Sequence, residues 1–347
     1  MIVDDSAVVR GMLQRWLEVE RDIAIVAVAT NGRDGVRLAA EKKPDIIILD
    51  VEMPELDGLS AIPQLLQVAP QARILMASTL THRNAETTLK ALSLGAADYT
   101  PKPEAGKLAG AADFKRDILG KIRALGARRS ARPSMAMRAQ TPPAIARTPL
   151  KPLAHLPEVI VIGSSTGGPQ ALAKVISVIG AQARQPILIT QHMPAMFTAI
   201  LADHLAKLTR APTAEAKDGM PIKAGSIYIA PGDFHMRIQR KHGAPIIALD
   251  QTPPVNFCRP AVDPLFASAA EIFGPAVLAC VLTGMGQDGK KGAEAIKAKG
   301  GAVIVQDESS SVVWGMPGAV ANAGLAAAIK PLDEIGHTLL ALSQGKS

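Results

Sequence analysis

Short runs of β-branched and aliphatic residues, each followed by a helix-forming stretch, constrain this chain most. Asp45-Ile-Ile-Ile-Leu-Asp50, Arg73 to Ala77, Val159-Ile-Val-Ile162, Pro186-Ile-Leu-Ile-Thr-Gln191, Ala276 to Thr283 and Ala302 to Gln306 are such runs. They are too short for helices and too uniformly apolar for strands with one face in water. Runs of this kind are buried on both faces, as in parallel sheets covered by helices. Between them lie amphipathic stretches. Val9, Met12, Leu13, Trp16 and Leu17, for example, make one apolar stripe. Strand and helix alternate throughout, so the expected class is α/β with doubly wound parallel sheets.

A length of 347 residues holds about two such domains. Residues 1–125 alternate regularly. From 126 to 157 the apolar period is lost and Arg, Ala and Pro dominate, as in Arg128-Arg-Ser-Ala-Arg-Pro133 and Thr141-Pro-Pro143. That composition reads as a semi-extended linker. Alternation resumes over 158–347. The net charge is +7, but much of the excess lies between Lys115 and Lys151, where aromatics for base stacking are nearly absent. The basicity therefore belongs to the linker, and nucleic acid is not expected as a partner. The apolar runs are too short to span a bilayer and no signal peptide opens the chain, so the cytoplasm is the expected compartment. Cys258 and Cys280 have no metal-ligand or disulfide spacing and are expected to be small buried hydrophobes.

In parallel sheets the working site lies at the carboxyl ends of the strands. In the first domain Asp4, Asp5, Asp50, Ser78 and Lys102 all fall there. Three carboxylates in one crevice repel unless a cation joins them, and an all-oxygen set suits Mg²⁺. A nearby Lys and hydroxyl could then hold phosphoryl oxygens. The constellation resembles the response-regulator receiver domain. That resemblance implies Asp50 as phosphoacceptor, Asp4, Asp5 and Asp50 around the metal, Ser78 and Lys102 as switch residues, and Tyr99 at the aromatic switch position. Receivers normally carry several residues before the acidic pair, whereas here only Met1-Ile-Val3 stand there. The central strand is thus expected to be cut short, and either the chain begins earlier than written or the receiver is impaired.

In the second domain Ser165, His192 and Asp288 each follow a predicted strand. Gly163-Ser-Ser-Thr-Gly167 turns from strand to helix, with Gly167, Gly168 and Pro169 opening the helix. A hydroxyl there lies near free backbone N–H groups that would stabilise developing negative charge. A phosphate loop would need a Lys where Pro169-Gln170 stand. A G-x-S-x-G nucleophile elbow and a plain β–α turn both fit the motif alone. His192 and Asp288 on the same edge supply what a Ser nucleophile needs, a base and a carboxylate that sets its tautomer. Gly284-Met285-Gly286 can present backbone N–H groups to an oxyanion.

Gly163-Ser-Ser-Thr-Gly-Gly168, Thr190-Gln-His-Met-Pro194, Tyr228-Ile-Ala-Pro-Gly232 and Leu282-Thr-Gly-Met-Gly-Gln-Asp-Gly289 resemble, in order, the catalytic domain of the chemotaxis protein-glutamate methylesterase family, CheB. The resemblance implies a triad of Ser165, His192 and Asp288, with the Met285 backbone at the oxyanion and Ser164 where the family usually has Ala. It implies hydrolysis of glutamate γ-methyl esters on chemoreceptor cytoplasmic domains, glutamine deamidation by the same chemistry, and a chemotaxis histidine kinase as phosphodonor. Phosphorylation would relieve receiver inhibition of the esterase. No cofactor is expected in the esterase domain, no membrane insertion, and a monomeric chain. Two other readings are open. One is an α/β-hydrolase acting on small esters in the order Ser165, Asp307, His337. The other is a non-catalytic, phospho-dependent binding module.

Overall fold

The computed structural model describes residues 1–79, 82–102, 111–130 and 153–346. The chain divides into two compact units, within Met1–Ala139 and within Gln140–Ser347. The linker expected over 126–157 lies largely outside the described residues.

The first unit runs β1 (Ile2–Val3), α1 (Ala7–Glu18), β2 (Val28–Ala29), α2 (Gly32–Lys42), β3 (Ile46–Asp50), α3 (Gly58–Val68), β4 (Arg73–Thr79), α4 (His82–Ser93), β5 (Asp98–Lys102) and α5 (Ala111–Ser130). Its five strands are parallel in the order β2-β1-β3-β4-β5. Chain direction across the sheet reverses between β1 and β3, so the residues after those two strands border one crevice. Side-chain caps start three helices: Ser6 accepts from Val9 N–H, Asn31 from Asp34 N–H and Asp57 from Ser60 N–H.

Two sequence expectations change here. Ile23 to Ala29 reads as a strand, yet only Val28–Ala29 pair. The reason is register: β1 offers Ile2 and Val3 alone, and these face Val28 and Ala29. Short as it is, β1 keeps the central place, paired on both sides. The second change is α5, which runs to Ser130, past the expected linker start at 126. Arg and Ala are strong helix formers, so a stretch without an apolar stripe can still extend a helix begun by a packed one.

The second unit runs β6 (Val159–Ser164), α6 (Gly168–Ile179), β7 (Ile187–Gln191), α7 (Ala195–Leu208), β8 (Thr213–Glu215), β9 (Ile227–Ile229), β10 (His235–Lys241), β11 (Ala244–Asp250), α8 (Val262–Phe273), β12 (Val277–Val281), α9 (Lys290–Ala298), β13 (Ala302–Gln306), α10 (Met316–Asn322), β14 (Ala328–Lys330) and α11 (Leu332–Ser343). Seven strands form one parallel sheet, β14-β13-β12-β6-β7-β9-β8. β10 and β11 form a separate antiparallel hairpin, turned by His242 and Gly243 as their sequence suggests. The edge strands β8 and β14 escape the sequence reading, which ends the sheet at Ala302 to Gln306. Each has three residues without an apolar run, as short edge strands commonly do.

Topology places the site. The chain leaves β6 toward β7 and β9, then crosses back to β12 and β13 on the other side. The switch point therefore lies between β6 and β12, and ligands bind at such points. Gly163 lets α8 approach it, because a Cβ there would meet Val262 Cγ1 at 2.4 Å. Among the described residues no helix is long and apolar enough to cross a membrane.

Candidate active site

Ser165 follows β6 directly, half-buried, and its backbone N–H donates to Thr283 O at 3.0 Å. That bond ties it to the turn after β12. Gly284 is needed there, since a Cβ would meet Ser165 Cβ at 2.8 Å and Met316 Sδ at 2.4 Å. Among the described residues the Met285 N–H, next along this turn, donates to no backbone carbonyl. Ser164, the other hydroxyl of the motif, points inward. It is fully buried and donates to Gln191 Oε1 at 2.6 Å. The Gln191 amide in turn donates to Ser165 O at 2.9 Å and to His192 O at 3.2 Å. Gln191 thus braces the turns that carry Ser165 and His192, a role the sequence does not signal.

His192 Nε2 lies 2.7 Å from Asp288 Oδ2. A carboxylate only accepts, so Nε2 carries a proton directed at Asp288. Nδ1 faces Cys258 Sγ at 3.3 Å. Cys258 is therefore not the small buried hydrophobe expected. It is half-exposed and touches the imidazole, whereas Cys280, inside β12, is fully buried. Burial works to lower the His192 pKa, but the Cys258 sulfur and the Asp288 carboxylate outweigh it and hold it above 6.5. The protonated ring, formed when the histidine takes a proton, is thereby favoured.

Asp288 is held from several sides. Oδ2 also accepts from Val262 N–H at 2.6 Å, and Oδ1 accepts from Asp263 N–H at 3.1 Å and Gly289 N–H at 3.0 Å. The first two are the opening amides of α8, whose N-cap Ala261 has no side chain to satisfy them. Asp288 is thus a cap supplied from a distant loop, where a helix N-terminus favours negative charge. Burial alone would raise its pKa; the His192 bond and these amides outweigh that and hold it at about 2.

Asp307 and His337 are not drawn together in this way. Asp307 accepts from Ser310 N–H at 3.0 Å in a local turn, and His337 is on the exposed face of α11.

The first unit builds its own site. Lys102 Nζ lies 2.7 Å from both Asp4 Oδ2 and Asp50 Oδ1. Asp4 and Asp50 are buried and Asp5 is exposed, yet each offers an oxygen within 4.8 Å of the others. That donor set fits a hard divalent cation. Ser78 is buried, its hydroxyl on Thr79 O at 3.2 Å. Tyr99 is buried beneath Lys121, whose Nζ is 5.3 Å from the ring centroid.

Burial raises the Asp50 pKa from 3.8 to about 6, against the pull of Lys102. The folded state then binds more protons than the unfolded one between those values, so stability falls as pH rises through that window. Asp50→Asn removes the loss. At pH 8 it is expected to stabilise the receiver by about 1–3 kcal/mol, and below pH 4 by almost nothing. Urea melts at the two pH values check this; a destabilised variant at pH 8 would contradict it.

Residues 160–339 match the CheB methylesterase family model, and residues 1–112 match the response regulator receiver domain. A protein-glutamate methylesterase/protein-glutamine glutaminase of group 2 operon from Rhodopseudomonas palustris (strain ATCC BAA-98 / CGA009) is 53% identical, over 99% of this chain and 94% of that protein. A protein-glutamate methylesterase/protein-glutamine glutaminase from Maricaulis maris (strain MCS10) is 49% identical, over 99% and 95%. Among solved structures, the Thermotoga maritima CheB methylesterase catalytic domain aligns with a TM-score of 0.53 and 42% identity, covering 54% of this chain and 98% of that one.

Proposed function

The chain belongs to the CheB methylesterase family, and on that premise we propose that Ser165, His192 and Asp288 hydrolyse glutamate γ-methyl esters on the cytoplasmic helices of chemoreceptors. The supporting observation is the His192–Asp288 pair, 2.7 Å apart on the strand edge where Ser165 follows β6.

With Nε2 engaged by Asp288, His192 would take the Ser165 proton at Nδ1, the nitrogen that lies against Cys258 Sγ. Ser165 Oγ attacks the ester carbonyl, and the Met285 N–H receives the oxyanion. Collapse expels the alkoxide, which His192 protonates to methanol, leaving an acyl-enzyme. Water then attacks with His192 again as base, freeing the glutamate carboxylate and Ser165. Asp288 orients the ring and stabilises its charged form throughout. A glutamine side chain follows the same course with ammonia leaving.

The receiver supplies control. Asp50 would accept a phosphoryl group from a chemotaxis histidine kinase, with Mg²⁺ held by Asp4, Asp5 and Asp50. The ion would neutralise phosphoryl charge when bound. Lys102 and Ser78 lie at the same edge to meet phosphoryl oxygens, and a local charge change there can bias a two-state element.

Methanol release from methylated receptor membranes tests both levels. The full chain should release methanol, faster with a small phosphodonor and Mg²⁺, and Asp50→Asn should not respond to the donor. Absence of methanol would overturn the esterase reading. A donor response in Asp50→Asn would overturn the control by that residue.

A further inference from the structure

Between β11 and α8 lies a tight turn, Val255–Cys258, closed by Val255 N–H on Cys258 O at 3.1 Å and Cys258 N–H on Val255 O at 2.9 Å. Its two central residues are both left-handed, Asn256 with φ 51° and Phe257 with φ 64°. Asn tolerates that region, but Phe does so only under strain. Strained backbone persists where its surroundings hold it, commonly at working sites. Here the surroundings are the triad. Asn256 Nδ2 donates to Asp288 Oδ1 at 3.1 Å and to Asp263 Oδ2 at 3.2 Å. Two residues on, Cys258 reaches the His192 ring.

Asp263 is the second unusual feature. It is a buried carboxylate beside the buried carboxylate of Asp288, and the mechanism does not use it. Two such groups repel unless a donor stands between them. Asn256 is that donor, with one amide nitrogen shared by both. The far oxygen of Asp263 accepts from Gly292 N–H at 2.8 Å in the first turn of α9, which anchors the assembly to the helix behind Asp288. Burial and the Asp288 charge raise the Asp263 pKa to about 6, the direction expected for a carboxylate kept close to another.

We propose that Asn256 is a positioning residue of the esterase triad: its amide, braced by Asp263 and fixed by the left-handed turn, holds Asp288 so that Oδ2 meets His192 Nε2. This rests on the reading of Ser165, His192 and Asp288 as the hydrolytic triad. It assigns a purpose to three features that the reaction leaves unused: the strained turn, the buried Asp263 and the shared amide.

The test uses the full chain and two variants. Asn256→Gly accepts the left-handed backbone and deletes the amide. Asn256→Asp keeps size and turn preference but replaces the donor with a third carboxylate. Both are expected to lower kcat for methanol release roughly 10- to 100-fold, the usual loss when a group orienting an active-site ligand is removed. KM for methylated receptor should change less than about twofold, since substrate binding is untouched. NMR gives a readout independent of turnover. The ring proton shared by His192 and Asp288 should resonate far downfield in the wild type and shift or vanish in the variants. Thermal melts select the variants that fold, so either one alone suffices. A folded variant with wild-type kcat and an unmoved ring proton would overturn the proposal. If the wild type released no methanol, the functional reading would fall, while the ring proton would still decide the role of Asn256.

Discussion

Ser165→Ala should abolish methanol release from methylated receptors, a loss of roughly 10,000-fold or more, while Ser164→Ala keeps most of the rate. Two adjacent hydroxyls in one turn make the contrast sharp. Ser165 is half-buried at the sheet edge, packed against the turn of Thr283 and Gly284. Ser164 is sealed in the interior, and its single bond goes to Gln191. Removing that bond leaves Gln191 Oε1 short of a donor and costs about 1–3 kcal/mol of stability. The loss should register in the melting temperature and only weakly in kcat. Equal inactivation of both variants in the same methanol assay would mean that the hydroxyl of the reaction is not Ser165 alone.

Asp288→Asn carries the second large effect, and it acts twice. The neutral amide no longer stabilises the charged ring or enforces its tautomer, so kcat should fall by roughly 1,000- to 10,000-fold. The same change removes a negative charge from the N-terminus of α8, worth about 1–2 kcal/mol in a buried setting. The pH dependence separates the two. Asp288 titrates at about 2 in the folded chain against 3.8 ordinarily. Its contribution to stability is therefore complete above 3.8 and lost as pH falls through about 2. Wild type and Asp288→Asn should differ in urea melts at pH 7 and converge toward pH 2. Were Asp288→Asn fully active and Asp307→Asn dead, the order Ser165, Asp307, His337 would replace the one argued here.

Local pattern goes a long way in this chain. β-branched runs separated by helical stretches dictate parallel strands, and parallel strands put whatever follows them on one edge. That suffices to bring Ser165, His192 and Asp288 to one side of the second sheet, and Asp4, Asp5, Asp50, Ser78 and Lys102 to one side of the first. The hairpin at His242-Gly243 is legible for the same reason, because its turn chemistry is contained in neighbouring residues. Extents are less legible. β2 is two residues long because β1 offers two partners, and β8 and β14 exist because a neighbour's free edge recruits them.

The amino-acid sequence by itself determined the α/β class, the two units and the edge on which each site lies, since periodicity and turn chemistry act over a few residues. Tertiary structure alone decided which hydroxyl is sealed inside, which imidazole nitrogen meets Asp288, and what holds Asp288. His192 and Asp288 are 96 positions apart, and Asp288 caps a helix whose first turn lies 26 positions earlier. Asn256 reads as one polar residue of an irregular loop before α8, and Cys258 as a small buried hydrophobe, until that segment folds against the triad. Such partners share no local pattern. They meet because burying the apolar faces of α8 and the sheet leaves each polar group one place in which its hydrogen bonds are satisfied.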